Sequence, residues 1–329
     1  MPRRRQPKIL QKTKSGKYYV GAAEDVLSSS ALQRYRGKVN LILTSPPFPL
    51  NKKKNYGNLQ GDEYLRWMKK LAPLLEEMLA PDGSLVVEIG NCWEPDRPIQ
   101  SLLPIKTLLA LGEVGGLRLI QEFICYNPSR LPSPAQWVTV KRLRVVDSFT
   151  HVWWFAKTDK PNANNARVPR PYSEAMKQLL ARGTFNHGPR PSHHRVSKRG
   201  FLKKKKGAIP HNVFELEPLE ADREVRLPNV FSFSNTASND YFSRICKSRD
   251  IEPHPARMPV GLAAFFVQFL TRKGDCVLDP FAGSNTTGFA AALLGRRWIA
   301  VDAQRKYVTQ SRIRFSDPSL AVAVRRNSR

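Results

Sequence analysis

Val277-Leu278-Asp279-Pro280-Phe281-Ala282-Gly283-Ser284-Asn285-Thr286-Thr287-Gly288 is the stretch on which the fold turns. The apolar run 276–278 predicts a buried strand, 279–284 a tight turn, and the segment through Leu294 a helix, with a further strand over 298–301. Strand, turn, helix and strand with short links predict an α/β fold with a parallel sheet. Small residues at the carboxyl end of a strand let a ligand approach the amides of the following helix N-terminus. Asp302 closes the next strand, where a carboxylate can hold a ribose diol. There is no Gly-x-Gly-x-x-Gly and no Gly-Lys-Ser/Thr, which disfavours dinucleotides and triphosphates. A nucleoside cofactor with an amino-acid tail fits better, although a plain sheet-to-helix turn accounts for this stretch alone equally well.

Working outward, Val39-Asn40-Leu41-Ile42-Leu43 predicts a second buried strand, ending at Thr44-Ser45-Pro46-Pro47-Phe48. Tyr64, Leu65, Met68, Leu71, Leu75 and Leu79 recur at helical spacing over 63–79, Pro81-Asp82-Gly83 stops that helix, and 84–89 predicts another strand. His151-Val152-Trp153-Trp154-Phe155 reads as a strand and 259–270 as an apolar helix. Residues 1–17 are basic and polar and predict an arm with little fixed structure. Residues 18–158 form a catalytic half, and 226–329 a cofactor half. Between them, residues 159–225 are rich in Pro, Asn and basic side chains, including a Lys203–Lys206 run, and predict a surface insertion.

The 329 residues carry 54 Lys plus Arg against 27 Asp plus Glu, a formal net charge of +27. Such self-repulsion calls for a polyanionic partner, and nucleic acid is the expected one. The apolar run 260–270 is far too short to span a bilayer, and no apolar core follows Arg3-Arg4-Arg5. Cys92, Cys125, Cys246 and Cys276 form no Cys-x-x-Cys pair, which argues against a zinc site or disulfide framework and for a reducing compartment. His193-His194 lacks a third ligand at useful spacing, so no metal is expected.

Two prolines after a buried strand fix a turn that offers carbonyls but no amide donors at either position. That suits a site accepting hydrogen bonds from an exocyclic amino group. For cytosine N4, acceptance by the Ser45 hydroxyl and the Pro46 carbonyl favours a pyramidal nitrogen with its lone pair free to react. Phe48 would stack on the extruded base. Glu88 lies on a strand that can neighbour the one bearing Ser45, so it is a candidate acceptor for the released proton, with a structural ion pair as the competing role. Lys52, Lys53 and Lys54 beside the turn, and Lys203 and Lys204 in the insertion, are candidate phosphate contacts.

Ser-Pro-Pro-Phe, Asp-Pro-Phe-Ala-Gly-Ser-Asn-Thr-Thr-Gly and His254-Pro255-Ala256-Arg257-Met258-Pro259 together resemble the amino-methyltransferases of restriction-modification systems. Asn127-Pro128-Ser129-Arg130-Leu131-Pro132 and Val152-Trp153-Trp154-Phe155 add to the resemblance. With the catalytic motif first, an insertion next and the cofactor motif last, the order is that of the permuted beta class. The resemblance implies a Rossmann-like methyltransferase sheet, S-adenosylmethionine as cofactor, and site-specific N4-cytosine methylation of double-stranded DNA by base flipping. It further implies a cytoplasmic, nucleoid-associated enzyme, with a cognate restriction endonuclease as functional partner. Asp279, Phe281, Gly283, Ser284, Thr286 and Thr287 would line the cofactor, with Asp302 on its ribose. The family often carries Gly-Asp after its first strand, whereas Gly21-Ala22-Ala23-Glu24-Asp25 stands here; Asp25 is the candidate replacement, with Glu24 as the alternative. Adenine-N6 methylation shares every motif, and a catalytically silent DNA-binding module would share the charge.

Overall fold

The computed structural model describes residues 7–48, 59–215, 241–254 and 257–320. Its strands are β1 (Lys8–Lys12), β2 (Gly16–Val20), β3 (Val39–Thr44), β4 (Leu79–Gly90), β5 (Arg118–Tyr126), β6 (Phe149–Ala156), the two-residue β7 (Gly188–Pro189) and β8 (Arg195–Val196), β9 (Val213–Glu215), β10 (Cys276–Asp279) and β11 (Arg297–Asp302). All but β7 and β8 join one sheet, in the order β1-β2-β11-β10-β3-β4-β6-β5-β9. From β2 to β4 all neighbours run parallel. β6 then runs antiparallel to both β4 and β5, and β9 adds parallel to β5 at the edge. β10 and β11 come last in the chain yet sit between β2 and β3, which is the permuted order in three dimensions.

Alternation along the central strands sends side chains to two cores. Ile42, Leu85, Val87, Trp153 and Phe155 face the layer containing α1 (Ala23–Leu27), α2 (Ser30–Gln33) and α3 (Gly61–Met78), with α4 (Leu103–Glu113) beside them. α3 buries Tyr64, Met68, Leu71, Leu75 and Met78 as its spacing predicts, and Asp62 and Glu63 in its first turn oppose the helix dipole. Its Pro73 is exposed, so the carbonyl it leaves unbonded can reach water. Leu41, Leu43, Val86, Val152 and Trp154 point the other way, onto α7 (Val260–Leu270) and α8 (Thr286–Leu293). α7 is apolar nearly all round because it is covered nearly all round. The remaining helices are α5 (Glu174–Arg182) in the insertion, α6 (Tyr241–Ser248) and α9 (Arg305–Phe315).

Two expectations need correction. The segment predicted as an arm over 1–17 contributes β1 and the start of β2, a hairpin closed by the Thr13 amide donating to the Gly16 carbonyl at 2.9 Å. Gly16 is required there, since a Cβ would stand 2.2 Å from the Trp298 ring. The insertion, expected as surface, also supplies core: β9 extends the sheet, and Phe214 stacks on Phe123 with ring centroids 5.6 Å apart. Residues 216–225 of the insertion, Lys52 to Lys54, and residues 255–256 lie outside the described residues. Among the described residues no helix is long and apolar enough to cross a membrane.

Candidate active site

β10 and β3 are parallel neighbours, with Val277 beside Leu41 and Leu278 beside Ile42, so their carboxyl ends lie level. The chain leaves β3 for one face of the sheet and β10 for the other, which opens a crevice between the two ends. Asp279 ties that crevice together at its base. Its carboxylate accepts from the Thr44 and Thr287 hydroxyls, each at 2.8 Å, and from the Phe281 amide at 3.1 Å. Burial raises its pKa to about 6, against the opposing pull of those same bonds.

The next strand brings the second carboxylate. Thr44 is level with Val87 in the β3–β4 ladder, which sets Ser45 beside Glu88. Glu88 is buried and is hydrogen-bonded by the Ser45 side chain and by the Thr150 hydroxyl, the latter at 3.2 Å. Desolvation pushes its pKa up, while Thr150, Ser45 and the charge of Arg130 pull the other way. Phe48 ends the turn with its ring on Gly90, where a Cβ would stand 2.7 Å from the ring edge. Glycine at 90 is what lets that ring lie flat against β4.

A cavity of about 350 Å³ opens above these strand ends, within the usual range for small-ligand sites. Ser45, Pro46, Pro47 and Phe48 form one wall. Opposite stand Phe281 and Asp302, whose carboxylate is aimed by the Gly283 amide at 2.9 Å and the Gln304 amide at 2.7 Å. Burial raises the Asp302 pKa, and those two amides oppose the rise. Glu24 and Trp67 close a third side; the indole N–H donates to the Glu24 carboxylate, and Trp67 meets Phe281 edge-on at 5.4 Å. His254, its ring 4.2 Å from that of Tyr307, completes the rim. Among the described lining residues there is no Lys or Arg. In a chain of net charge +27 this is informative: an acidic, aromatic cavity suits a cationic ligand without phosphate.

Of the cofactor residues expected from sequence, Phe281 and Asp302 line this cavity. The others shape its floor from behind. Thr287 is committed to Asp279, and Ser284 to the buried Arg314. Gly283 turns with φ +48° and offers its carbonyl to the Tyr18 hydroxyl at 2.6 Å, while Thr286 is buried at the start of α8. Asn285 takes the left-handed conformation that Asn tolerates, and caps α8 by accepting from the Gly288 amide. Asp25 is corrected: α1 begins at Ala23, which turns Asp25 to solvent and Glu24 into the cavity. Lys203 and Lys204 are exposed in the insertion. Trp67, His254 and Tyr307 escaped the sequence reading as cavity residues; only the His254-Pro255-Ala256-Arg257 motif hinted at one of them.

The family model for N6/N4 methyltransferases, described as DNA methylase, matches residues 39–312. The type II methyltransferase M.PvuII of Proteus hauseri is 36% identical over 311 residues, 94% of this chain and 86% of that protein. The solved cytosine-N4-specific PvuII DNA methyltransferase superposes with a TM-score of 0.67 at 30% identity, covering 96% of this chain and 93% of that one. A DNA modification methylase of Thermus thermophilus, TTHA0409, solved with S-adenosyl-L-methionine, shares the fold at TM-score 0.51 and 19% identity, over 92% of this chain and 95% of that one. With the family pattern running from the catalytic strand into the last helix of the cofactor half, the chain belongs to the N6/N4 family of DNA methylases.

Proposed function

We propose that this chain transfers a methyl group from S-adenosylmethionine to the exocyclic N4 of cytosine in duplex DNA. One observation carries the reading: the Ser45-Pro46-Pro47-Phe48 turn and the Phe281 and Asp302 wall face a single cavity. The similarity to a cytosine-N4-specific enzyme supports cytosine over adenine. When bound, S-adenosylmethionine supplies an electrophilic methyl group on a positively charged sulfur. Asp302 suits the ribose diol, and Phe281, Trp67 and Glu24 suit the adenine; the Phe281 ring edge and two carboxylates on one cavity fit a cationic nucleoside.

A cytosine extruded from the stack meets the turn. Because the Ser45 side chain is hydrogen-bonded to Glu88, its proton has a partner and its lone pairs are left to accept from the amino group. The Pro46 carbonyl accepts the second amino hydrogen, and Phe48 stacks on the ring. Charges at Lys52 to Lys54 and at Lys203 and Lys204 hold the duplex through phosphates, and the insertion over 159–225 reads the sequence. The setting that goes with this is the cytoplasm, on nucleoid DNA, beside a cognate restriction endonuclease.

Nucleoside mass spectrometry of DNA incubated with the protein is expected to find N4-methylcytosine, and Ser45→Ala to slow turnover by about 10²-fold while leaving cofactor affinity near wild type. N6-methyladenine as the sole product would reassign the base. Calorimetry is expected to show Asp302→Ala binding S-adenosylmethionine about tenfold or more weakly, the cost of one lost charged hydrogen-bond acceptor. Equal affinities would take Asp302 out of the site.

A further inference from the structure

The β5–β6 connection, residues 127–148, rises at the same end of the sheet as the cavity and inverts the usual pattern of a soluble loop. Leu131 is 80% exposed, Val140 74%, Leu143 63% and Val145 86%. Over 143–145 the polar residue is the one tucked in: the Arg144 guanidinium donates to the Pro98 carbonyl at 3.0 Å and lies over the Trp93 ring, while Leu143 and Val145 on either side project to solvent. The presentation is rigid. The Leu143 amide donates to the Trp137 carbonyl at 2.8 Å, and Trp137 is itself buried.

The base of the loop is fastened to the catalytic strand. Arg130 donates to the carbonyls of Asp147 and Phe149, and its charge acts on Glu88. Asn91, three residues beyond Glu88, donates to the Asp147 carboxylate at 3.1 Å. Around the exposed aliphatic side chains stand Arg130, Lys141, Arg142 and Arg144, with Asp147 as the one acid over 127–148. A second copy of the chain meeting this face would set like charges against each other. A polyanion with an apolar interior meets both features at once.

We propose that this loop is a DNA-contacting blade: Leu143 and Val145 enter the base stack beside the extruded cytosine, and Lys141 and Arg142 hold the flanking phosphates. The assignment rests on the proposed base-flipping reaction and adds a surface separate from the insertion. The blade keeps the duplex open once the base has left, so its value is greatest where pairing must be broken.

The test uses the full-length protein and two variants, Leu143→Ala/Val145→Ala and Lys141→Ala/Arg142→Ala. The substrate is a duplex carrying the site found by mapping methylated bases, either fully paired or with an abasic position opposite the target cytosine. The aliphatic variant is expected to lose about tenfold or more in kcat/KM on the paired duplex and less than about twofold on the abasic one. The basic variant is expected to bind a labelled random-sequence duplex more weakly, with a flatter salt dependence. Unchanged activity on the paired duplex, or an equal loss on both substrates, overturns the blade. So does a wild-type dimer in sedimentation that the aliphatic variant dissolves without loss of DNA binding. If the wild type makes no N4-methylcytosine, the reaction reading fails, and the random-duplex binding still decides the loop: equal affinity of wild type and basic variant overturns it.

Discussion

Asp279→Ala is expected to destabilise the fold by about 3 kcal/mol, because three buried donors lose their acceptor together. The Thr44 hydroxyl, the Thr287 hydroxyl and the Phe281 amide all end on this one carboxylate. Thr287 has a partial escape in the Leu43 carbonyl at 3.4 Å, whereas no hydrogen bond to another acceptor is seen for Thr44 or for the Phe281 amide. The loss falls where the catalytic strand meets the cofactor strand, so cofactor affinity is expected to drop with stability. The acid's own charge adds a pH signature. Its folded pKa of about 6 lies above the ordinary carboxylate value, so the folded state holds the proton more tightly than the unfolded chain does. From this group, stability is gained as pH falls through about 6 and is lost as pH rises through it. Asp279→Asn keeps one acceptor and abolishes that limb. Urea titrations between pH 4 and 7 check both statements; an alanine variant as stable as wild type would show that the brace carries nothing.

What was legible in the sequence was local and periodic. The β10-turn-α8-β11 unit announces itself because an apolar strand, a small-residue turn, a helix and an acid follow one another within 27 residues, 276–302. The catalytic turn is legible for the same reason, since two prolines after a buried strand leave few conformations. What was missed depends on partners far along the chain. Lys8-Ile9-Leu10-Gln11-Lys12 is charged at both ends and lies at the sheet edge; it becomes a strand because β2 pairs with β11 and Gly16 fits against Trp298. β9 has three residues, and its burial comes from Phe123 and Phe265. Glu24 and Asp25 differ by one step of helical phase, so only the start of α1 and the Trp67 indole decide which faces the cavity. The turn residues Ser284, Thr286 and Thr287 were read as ligand contacts because their types suit that role. Arg314 and Asp279, remote in sequence, commit Ser284 and Thr287 to the scaffold instead.

Glu88→Gln is expected to lower the single-turnover methylation rate by about 10²-fold or more while leaving cofactor affinity unchanged. When N4 gains a methyl group through its own lone pair, the nitrogen holds one proton more than the neutral product. Ser45 is already hydrogen-bonded to Glu88, so that proton can pass to the hydroxyl oxygen as the hydroxyl's own proton passes to the carboxylate. The carboxylate must be ionised to receive it. Burial holds its pKa above the ordinary glutamate value, so in wild type the rate is expected to rise with pH through that raised value, and in the Gln variant this limb is expected to vanish. Stability moves differently, which separates catalysis from architecture. An acid whose folded pKa is raised loses stability as pH rises through that pKa, so the ionised Glu88 weighs against the fold at pH 7. Gln removes the charge and keeps an acceptor for Thr150 or Ser45, so the variant is expected to melt no lower than wild type. A slow variant with an unchanged pH limb, or one whose rate falls only as far as its stability does, would make Glu88 a buried strut rather than the proton acceptor.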